Sequence, residues 1–419
     1  MVIVALISII PVLLWIFAHL PISVYFSDFY SVLLSIGQIT GLVGLTMYSI
    51  NLFLSARLAI IENYFNGLNI VYKEHHKIGK YAFLLMIIHP ISIFLSRITV
   101  SFTYALDLII PGKDFFVDLG LISLYSISAL LILTLFAKIP YHLWKMSHKF
   151  TGLVFLIAVF HSFLIPSTIS SFKPLWFYML FVVISGISAY LYRTVFFKLF
   201  VKRYNYTVST VRKLNEKVVE ITLLPTDVNK KIEYYPGQFV FISFKSEKVT
   251  DEIHPFSIAS SDTNKMVIIS KIEGDYTKKL TDIEVGSTAL IEGAYGRFSY
   301  HYFPNPNQVW IAGGIGITPF VGMSKAITSE NDFSIDLYNC LKDENEKLGI
   351  AVKNVNLKPF FSKDMGHITA SYIKENSKNF DSAEFFICGP INFMNTLRSQ
   401  LLQLGIKNGR IHTEEFNYI

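Results

Sequence analysis

Four histidines carry the first suggestion of chemistry. His75 and His89 lie fourteen residues apart, and His148 and His161 thirteen apart, each pair inside a long apolar stretch. Fourteen residues of α-helix rise roughly 21 Å and return to within about 40° of the starting face, so one helix can present two imidazoles at two depths. Imidazole within hydrocarbon is costly and marks function by default. With both helices running in the same direction, His75 is level with His148 and His89 with His161, which makes two bis-histidine cages. Iron held axially by two neutral imidazoles is a b-type electron-transfer haem with no vacant position. Thirteen residues leave the second pair of rings about 140° apart on a straight helix, so that helix must bend or the haems must differ in azimuth. His76 competes with His75; His75 is preferred because Gly79 follows it by four, as Gly152 follows His148 by four. Interhelical hydrogen bonding accounts for any one of these histidines more readily than for four in two matched pairs. His19 and His142 have no such partners and are read as structural.

Two more groups of residues lie beyond position 200. His254-Pro255-Phe256-Ser257-Ile258-Ala259-Ser260 stands between two strand-like segments, where a barrel presses backbone and hydroxyl groups against a flat ring, the close, dry fit that flavin chemistry needs. Gly274-Asp275-Tyr276-Thr277 follows, and its amides and hydroxyl suit a pyrophosphate if they open a helix. Pro236-Gly237-Gln238-Phe239 and Gly293-Ala294-Tyr295-Gly296 edge the same site. Each is a common turn or strand end alone, but their order and spacing fit one ligand, FAD. Gly313-Gly314-Ile315-Gly316-Ile317-Thr318-Pro319 follows the strand VWIA directly, so its glycines let backbone approach the phosphates of NADPH or NADH at a helix start. Cys388-Gly389-Pro390 closes a later strand at the same carboxyl edge. The chain ends in Glu414-Glu415-Phe416-Asn417-Tyr418, where an aromatic ring can cover the flavin until nicotinamide displaces it; Tyr418 reads equally well as a packed tail. Ser257, Cys388 and Phe416 are the expected catalytic residues.

These residues need three kinds of scaffold. The chain has 419 residues, 52% hydrophobic and 15% aromatic, too apolar for an ordinary soluble protein. Residues 1–200 hold 12 Lys and Arg against 6 Asp and Glu, and residues 201–419 hold 25 against 25, so the net +6 belongs to the apolar half. Six stretches, roughly 2–20, 31–55, 76–97, 116–137, 147–167 and 174–197, supply the ~20 residues of a membrane span. Arg57, Lys73, Lys77, Lys80, Lys138, Lys145, Lys149, Arg193 and Lys198 fall on one side; Arg97, Lys113 and Lys173 fall on the other. That bias places both termini in the cytoplasm of a multi-pass plasma (inner) membrane protein. Cations at the ends of apolar runs are topology signals, which argues against nucleic acid as a partner. Nothing basic precedes the first apolar stretch, so it reads as a retained helix and not a cleaved signal. Cys340 and Cys388 alone exclude a disulfide scaffold. The expected fold is a six-helix transmembrane bundle over 1–200, an antiparallel β-barrel FAD domain over 205–302 and an α/β parallel-sheet nucleotide-binding domain over 306–419.

With these segments in hand, the chain resembles the NADPH oxidase and ferric reductase superfamily over almost its whole length, in particular a compact bacterial NADPH oxidase without calcium-binding extensions. LNIVYKEHHKIGKYAFLLMIIHP resembles the third transmembrane helix of that family and HKFTGLVFLIAVFH the fifth, which supports His75 over His76. HPFSIAS is similar to the flavin motif, with Ser257 where Thr is usual, and GDYT to the pyrophosphate motif. IAGGIGITPF and FFICGP resemble the nicotinamide-binding motifs, and Phe416 takes the place of the terminal flavin-stacking aromatic. The resemblance implies two haem b groups, FAD and NAD(P)H, membrane lipid around the bundle, and reduction of dioxygen to superoxide at the outer haem edge, with no obligatory protein partner. Arg97 is a candidate for a haem propionate or for attracting the anionic product, though it reads more readily as a membrane-surface anchor.

A ferric or other metal-chelate reductase shares this wiring; short outer loops leave little room for a chelate pocket. A haem-binding sensor without turnover is a third reading, against which the intact nucleotide segments speak. After the strand ending at Asn339-Cys340, an NADPH-selective site calls for Arg, whereas Leu341-Lys342-Asp343 offers a Lys amid acids. NADH is therefore expected to serve as well as NADPH.

Overall fold

The computed structural model describes residues 2–65, 67–135, 139, 141–328 and 332–415. It falls into two compact units. One comprises Met1–Asn63 and Ile70–Phe200, the other Tyr64–Asn69 and Val201–Ile419.

The first unit is helical. Among the described residues, five helices are long and apolar enough to cross a membrane: Phe29–Leu54, Leu68–Ile98, Phe115–Thr134, Leu143–Leu164 and Lys173–Phe196. The sixth expected span, Val2–Ala18, is apolar but only 17 residues long. It packs into the bundle all the same: Trp15 is fully buried and its Nε1 donates to Gln38 Oε1 at 2.8 Å. Where hydrocarbon offers no hydrogen bonds, polar groups must find partners within the protein. Tyr48 donates its hydroxyl to Thr151 O at 2.6 Å, and Ser49 donates to Val182 O at 2.5 Å. Small residues let helices approach; a Cβ on Gly44 would come 3.1 Å from Met86 Cγ.

Two spans differ from the sequence expectation. The helix Leu68–Ile98 starts well before residue 76, so His75 lies inside it. The fifth span is two helices, Tyr141–Lys149 and Thr151–Leu164, joined at Phe150. Around the joint, Phe150 N–H donates to Ser147 O and Leu153 N–H to Phe150 O, both at 3.0 Å. Such three-residue bonds wind the chain more tightly than an α-helix does.

The second unit holds two sheets. Strands β1 (Arg203–Asn215), β2 (Val218–Pro225), β3 (Phe239–Lys245), β4 (His254–Ser257), β5 (Met266–Lys271) and β6 (Thr288–Tyr295) form an antiparallel sheet in the order β4-β3-β6-β1-β2-β5. Its core includes Tyr206, Val219, Ile221, Val240, Ile242 and Phe244. Just beyond β4, Ile258 forms an isolated bridge to Ile268 of β5; the sheet is antiparallel as expected, and this single bridge is less than the closed barrel expected from sequence.

Strands β7 (Asn307–Gly313), β8 (Ser334–Leu341), β9 (Asn356–Phe361), β10 (Glu384–Cys388) and β11 (Ile411–Glu414) form a parallel sheet in the order β11-β10-β7-β8-β9. Trp310, Ala312, Leu337, Phe386 and Cys388 pack on one face; Val309, Ile311, Tyr338, Phe385 and Ile387 pack on the other. Burial on both sides explains why these strands read as continuous apolar runs.

Candidate functional site: paired histidines and a nucleotide cleft

The bundle brings the four histidines together in two pairs. His75 faces His148 with ring centroids 6.1 Å apart, and His89 faces His161 at 6.4 Å. Two imidazoles binding one metal ion with metal–nitrogen distances of ~2.0 Å place their ring centres roughly 6 Å apart, so both pairs fit axial ligation of a haem iron. His76 is exposed and has no part in either pair.

Main-chain carbonyls orient the rings. His75 Nδ1 lies 3.0 Å from Asn51 O, His89 Nδ1 2.8 Å from Gly37 O, and His161 Nδ1 2.7 Å from Phe116 O. A proton on Nδ1 donated to such a carbonyl leaves Nε2 free as the ligand and strengthens its basicity. His148 departs from the pattern. Its Nδ1 is buried with no hydrogen-bond partner among the described residues, and its ring lies parallel to Trp144 at 5.3 Å between centroids.

Two glycines absent from the sequence reading make room for the His89–His161 pair. A Cβ on Gly41 would lie 2.7 Å from His89 Nδ1, and one on Gly120 would lie 2.8 Å from His161 Cε1. Gly79 and Gly152, which were singled out by spacing, instead abut Asn51 and the Tyr190 ring. No sequence signal separates Gly41 and Gly120 from other helix glycines, because their partners are distant in the chain. His19 stacks on Trp15 at 4.2 Å, consistent with its structural reading, and Arg97 lies over the Tyr104 ring at 4.5 Å. The side chain of His142, and Phe416 and Tyr418, lie outside the described residues.

In the antiparallel sheet, Gln238 ties three of the expected flavin segments together. Its Oε1 accepts from Tyr235 N–H at 2.8 Å, its Nε2 donates to Gly296 O at 2.8 Å, and its carbonyl accepts from Ile258 N–H at 3.0 Å. Pro255 and Ser257 pair in register with Phe241 and Phe239, and Phe256 and Ser257 are buried. His254 stacks on Tyr276 at 3.8 Å and its Nε2 meets Glu252 Oε2 at 3.1 Å, which brings the HPFS and GDYT segments into contact. Burial, with Glu252 and Asp251 beside it, pushes the Tyr276 phenol up from its usual range. Gly274 caps the short helix Asp275–Lys279, as a pyrophosphate turn requires, but its amide already donates to Thr277 Oγ1 at 2.9 Å. The first-turn amides of Asp275 and Tyr276 are the ones left for a phosphate.

In the parallel sheet the two glycine motifs touch. A Cβ on Gly316 would run into the Cys388 carbonyl, and one on Gly389 would lie 3.1 Å from Gly313 Cα. Gly314, with φ +57°, turns the chain from β7 into the helix Thr318–Ala326. Beside this turn lies a cleft of ≈ 1410 Å³ whose walls include Gly313, Gly314, Asn339, Lys342, Gly389 and Pro390. Thr318 and Pro319 are buried beneath it, and the Thr318 hydroxyl donates to Ile315 O at 2.8 Å. Cys388 is fully buried in the apolar face of the sheet, and burial together with nearby Glu414 pushes its thiol well above the ordinary range. The geometry gives its backbone, not its sulfur, a place in the site.

Comparison with known proteins agrees with this division of the chain. Residues 40–159 match the family described as ferric reductase like transmembrane component, and residues 203–301 match an FAD-binding domain. A flavohemoprotein of Rhizobium meliloti is 24% identical over 232 residues, covering 48% of this chain and 57% of that protein. A flavohemoprotein of Rhodopirellula baltica is 31% identical over 236 residues, covering 48% and 57%. Ferric reduction oxidase 8, mitochondrial, of Arabidopsis thaliana is 34% identical over 128 residues, covering 27% of this chain and 17% of that protein. The chain thus spans less than two thirds of the length of these relatives. A ferric-reductase-like transmembrane component followed on one chain by a ferredoxin-reductase-type FAD-binding domain matches the architecture of the NADPH oxidase and ferric reductase superfamily.

Proposed function

We propose that the protein carries electrons from cytosolic NAD(P)H, through FAD and two b-type haems, across the membrane to dioxygen, releasing superoxide on the far side. The observation that carries this reading is the double pairing of imidazoles, 6.1 Å and 6.4 Å between ring centroids, at two levels of the same two spans. When bound, FAD takes up the two electrons of a hydride and haem passes single electrons onward.

The chain's own residues have the following parts. His75 and His148 hold the inner haem, and His89 and His161 the outer one. With two histidines for each, a bound haem would offer no vacant iron position, and the acceptor would meet its edge. The strand His254–Ser257, tied by Gln238 to Gly296, supports the flavin, and Asp275 and Tyr276 offer amides to its pyrophosphate. Gly313, Gly314 and Gly389 leave space for nucleotide phosphates at the carboxyl edge of the parallel sheet. Of the expected catalytic residues, Ser257 serves from the flavin strand, Cys388 acts by fixing the Gly316–Gly389 contact, and Phe416 covers the flavin. Lys and Arg asymmetry supports a cytoplasmic position for both termini.

The test is the purified protein in detergent, loaded with FAD and given NADH or NADPH. A low-spin cytochrome b spectrum with two haems per chain, reduction of those haems by nucleotide, and dye reduction sensitive to superoxide dismutase are expected. The His89→Leu, His161→Leu double variant should lose one haem of the two; retention of full haem content would sink the proposal. A second reading, reduction of a ferric chelate, is favoured by the match of residues 40–159 to ferric reductases. Chelate reduction that outpaces dioxygen reduction in the same assay would select it.

A further inference from the structure

We infer that the nucleotide cleft is built for a dinucleotide with a free 2′-hydroxyl, NADH, in preference to one with a 2′-phosphate. The inference rests on the nicotinamide reading above and narrows its substrate. In a sheet of this kind the strand after the glycine turn ends beside the adenosine ribose, where a carboxylate accepts from the 2′-hydroxyl or an Arg meets a 2′-phosphate. That strand is β8, and its register pairs Asn339 with Ala312 and Cys340 with Gly313, so its end stands level with the turn.

The groups at this end are overwhelmingly acceptors. Asn339 Oδ1 is buried, lines the cleft and has no hydrogen-bond partner among the described residues. A buried acceptor without a donor is costly, and a ribose hydroxyl supplies the missing donor. The first amide beyond the strand, Lys342 N–H, already donates to Glu346 Oε2 at 2.8 Å, so it is not available to a phosphate. Asp343 Oδ1 accepts from Asn345 N–H at 3.0 Å, which holds a second carboxylate at the same corner. Glu344 takes up the nearest ammonium: Lys347 Nζ lies 2.7 Å from its Oε1. No Arg occurs between residues 339 and 347, and the exposed Lys342 is the remaining cation there. A 2′-phosphate brings only acceptors and nearly two negative charges, so it meets three carboxylates without the fork of donors that would repay their proximity. A 2′-hydroxyl meets acceptors it can satisfy.

The experiment uses the full chain with FAD under anaerobic conditions and follows flavin bleaching against the concentration of each nucleotide. Wild type should use NADH with at least about tenfold higher kcat/KM than NADPH. Asp343→Asn with Glu346→Gln, both on the exposed corner, should shrink that ratio to about threefold or less. Equal use, a preference for NADPH, or an unchanged ratio in the double variant overturns the inference. Calorimetric titration with 5′-AMP and with 2′,5′-ADP separates the two levels of the argument. Tighter 5′-AMP without flavin bleaching by either dinucleotide upholds the inference and sinks the electron-transfer reading; tighter 2′,5′-ADP overturns the inference whatever the flavin does.

Discussion

Each outer histidine ring rests against a residue with no side chain, and that contact is sensitive to one added carbon. Neither neighbour can yield easily, since the atoms a Cβ would meet on Gly41 and Gly120 belong to rings already fixed by carbonyls. Gly41→Ala and Gly120→Ala should each turn an outer ring and cost one of two haems, read from the haem-to-protein ratio, while the inner pair keeps its low-spin spectrum. The two cysteines make a different prediction. Burial pushes the Cys340 thiol from 9.0 to about 12, and burial with Glu414 nearby pushes the Cys388 thiol well above its ordinary value. The folded protein therefore keeps protons that the unfolded chain releases, so the stability from these thiols is intact below about pH 9 and falls as pH rises toward 12. Replacing both with Ala should flatten the decline in melting temperature between pH 9 and 11. An equally steep decline would show that other groups govern alkaline unfolding. At this scale the sequence was most legible where chemistry and burial conflict, as with imidazoles in apolar runs. It was least legible for Gly41, Gly120 and Gln238, whose roles depend on partners far away in the chain.

Among the elements, the fifth span shows why spacing alone is an incomplete guide. Thirteen residues do not return to one face of a straight helix, yet His148 and His161 both meet their partners. The joint at Phe150, with its three-residue hydrogen bonds, departs from the straight helix on which that arithmetic depends. No Pro or Gly stands within residues 141–150 to announce it. The third span obeyed the simple rule because its fourteen-residue spacing needs no correction. In the second unit the strands were legible from their periods, and the contact between β7 and β10 explains why glycine stands on both sides of it. Gly316→Ala would press a methyl group into the Cys388 carbonyl. We expect a loss of about 2 kcal/mol or more of stability from this overpacking, together with slower flavin bleaching by nucleotide; a melting curve and the bleaching rate check both.

Over the whole molecule, the proposed electron transfer crosses a membrane only if the two ends of the chain of cofactors face different compartments. Cys388 is buried and Cys340 partly exposed in the cleft, so the test uses a background in which Cys340 is replaced by Ser. Lys113→Cys should react with an impermeant maleimide on intact cells, and Lys217→Cys only after lysis; equal labelling of both in intact cells would refute the assigned orientation. A last consequence concerns the helix Phe29–Leu54. Gly37 and Asn51, whose carbonyls receive His89 and His75, are themselves fourteen residues apart, the same interval that separates the two histidines. The helix thus works as a ruler laid against its neighbour, with marks cut in the polypeptide itself. Away from the tightly packed Gly37, Gly41 and Gly44, side chains along it can be exchanged without moving a mark, but one residue inserted between the two carbonyls would rotate one by about 100° away from its ring. The length of that segment, more than its composition, is what inheritance must preserve.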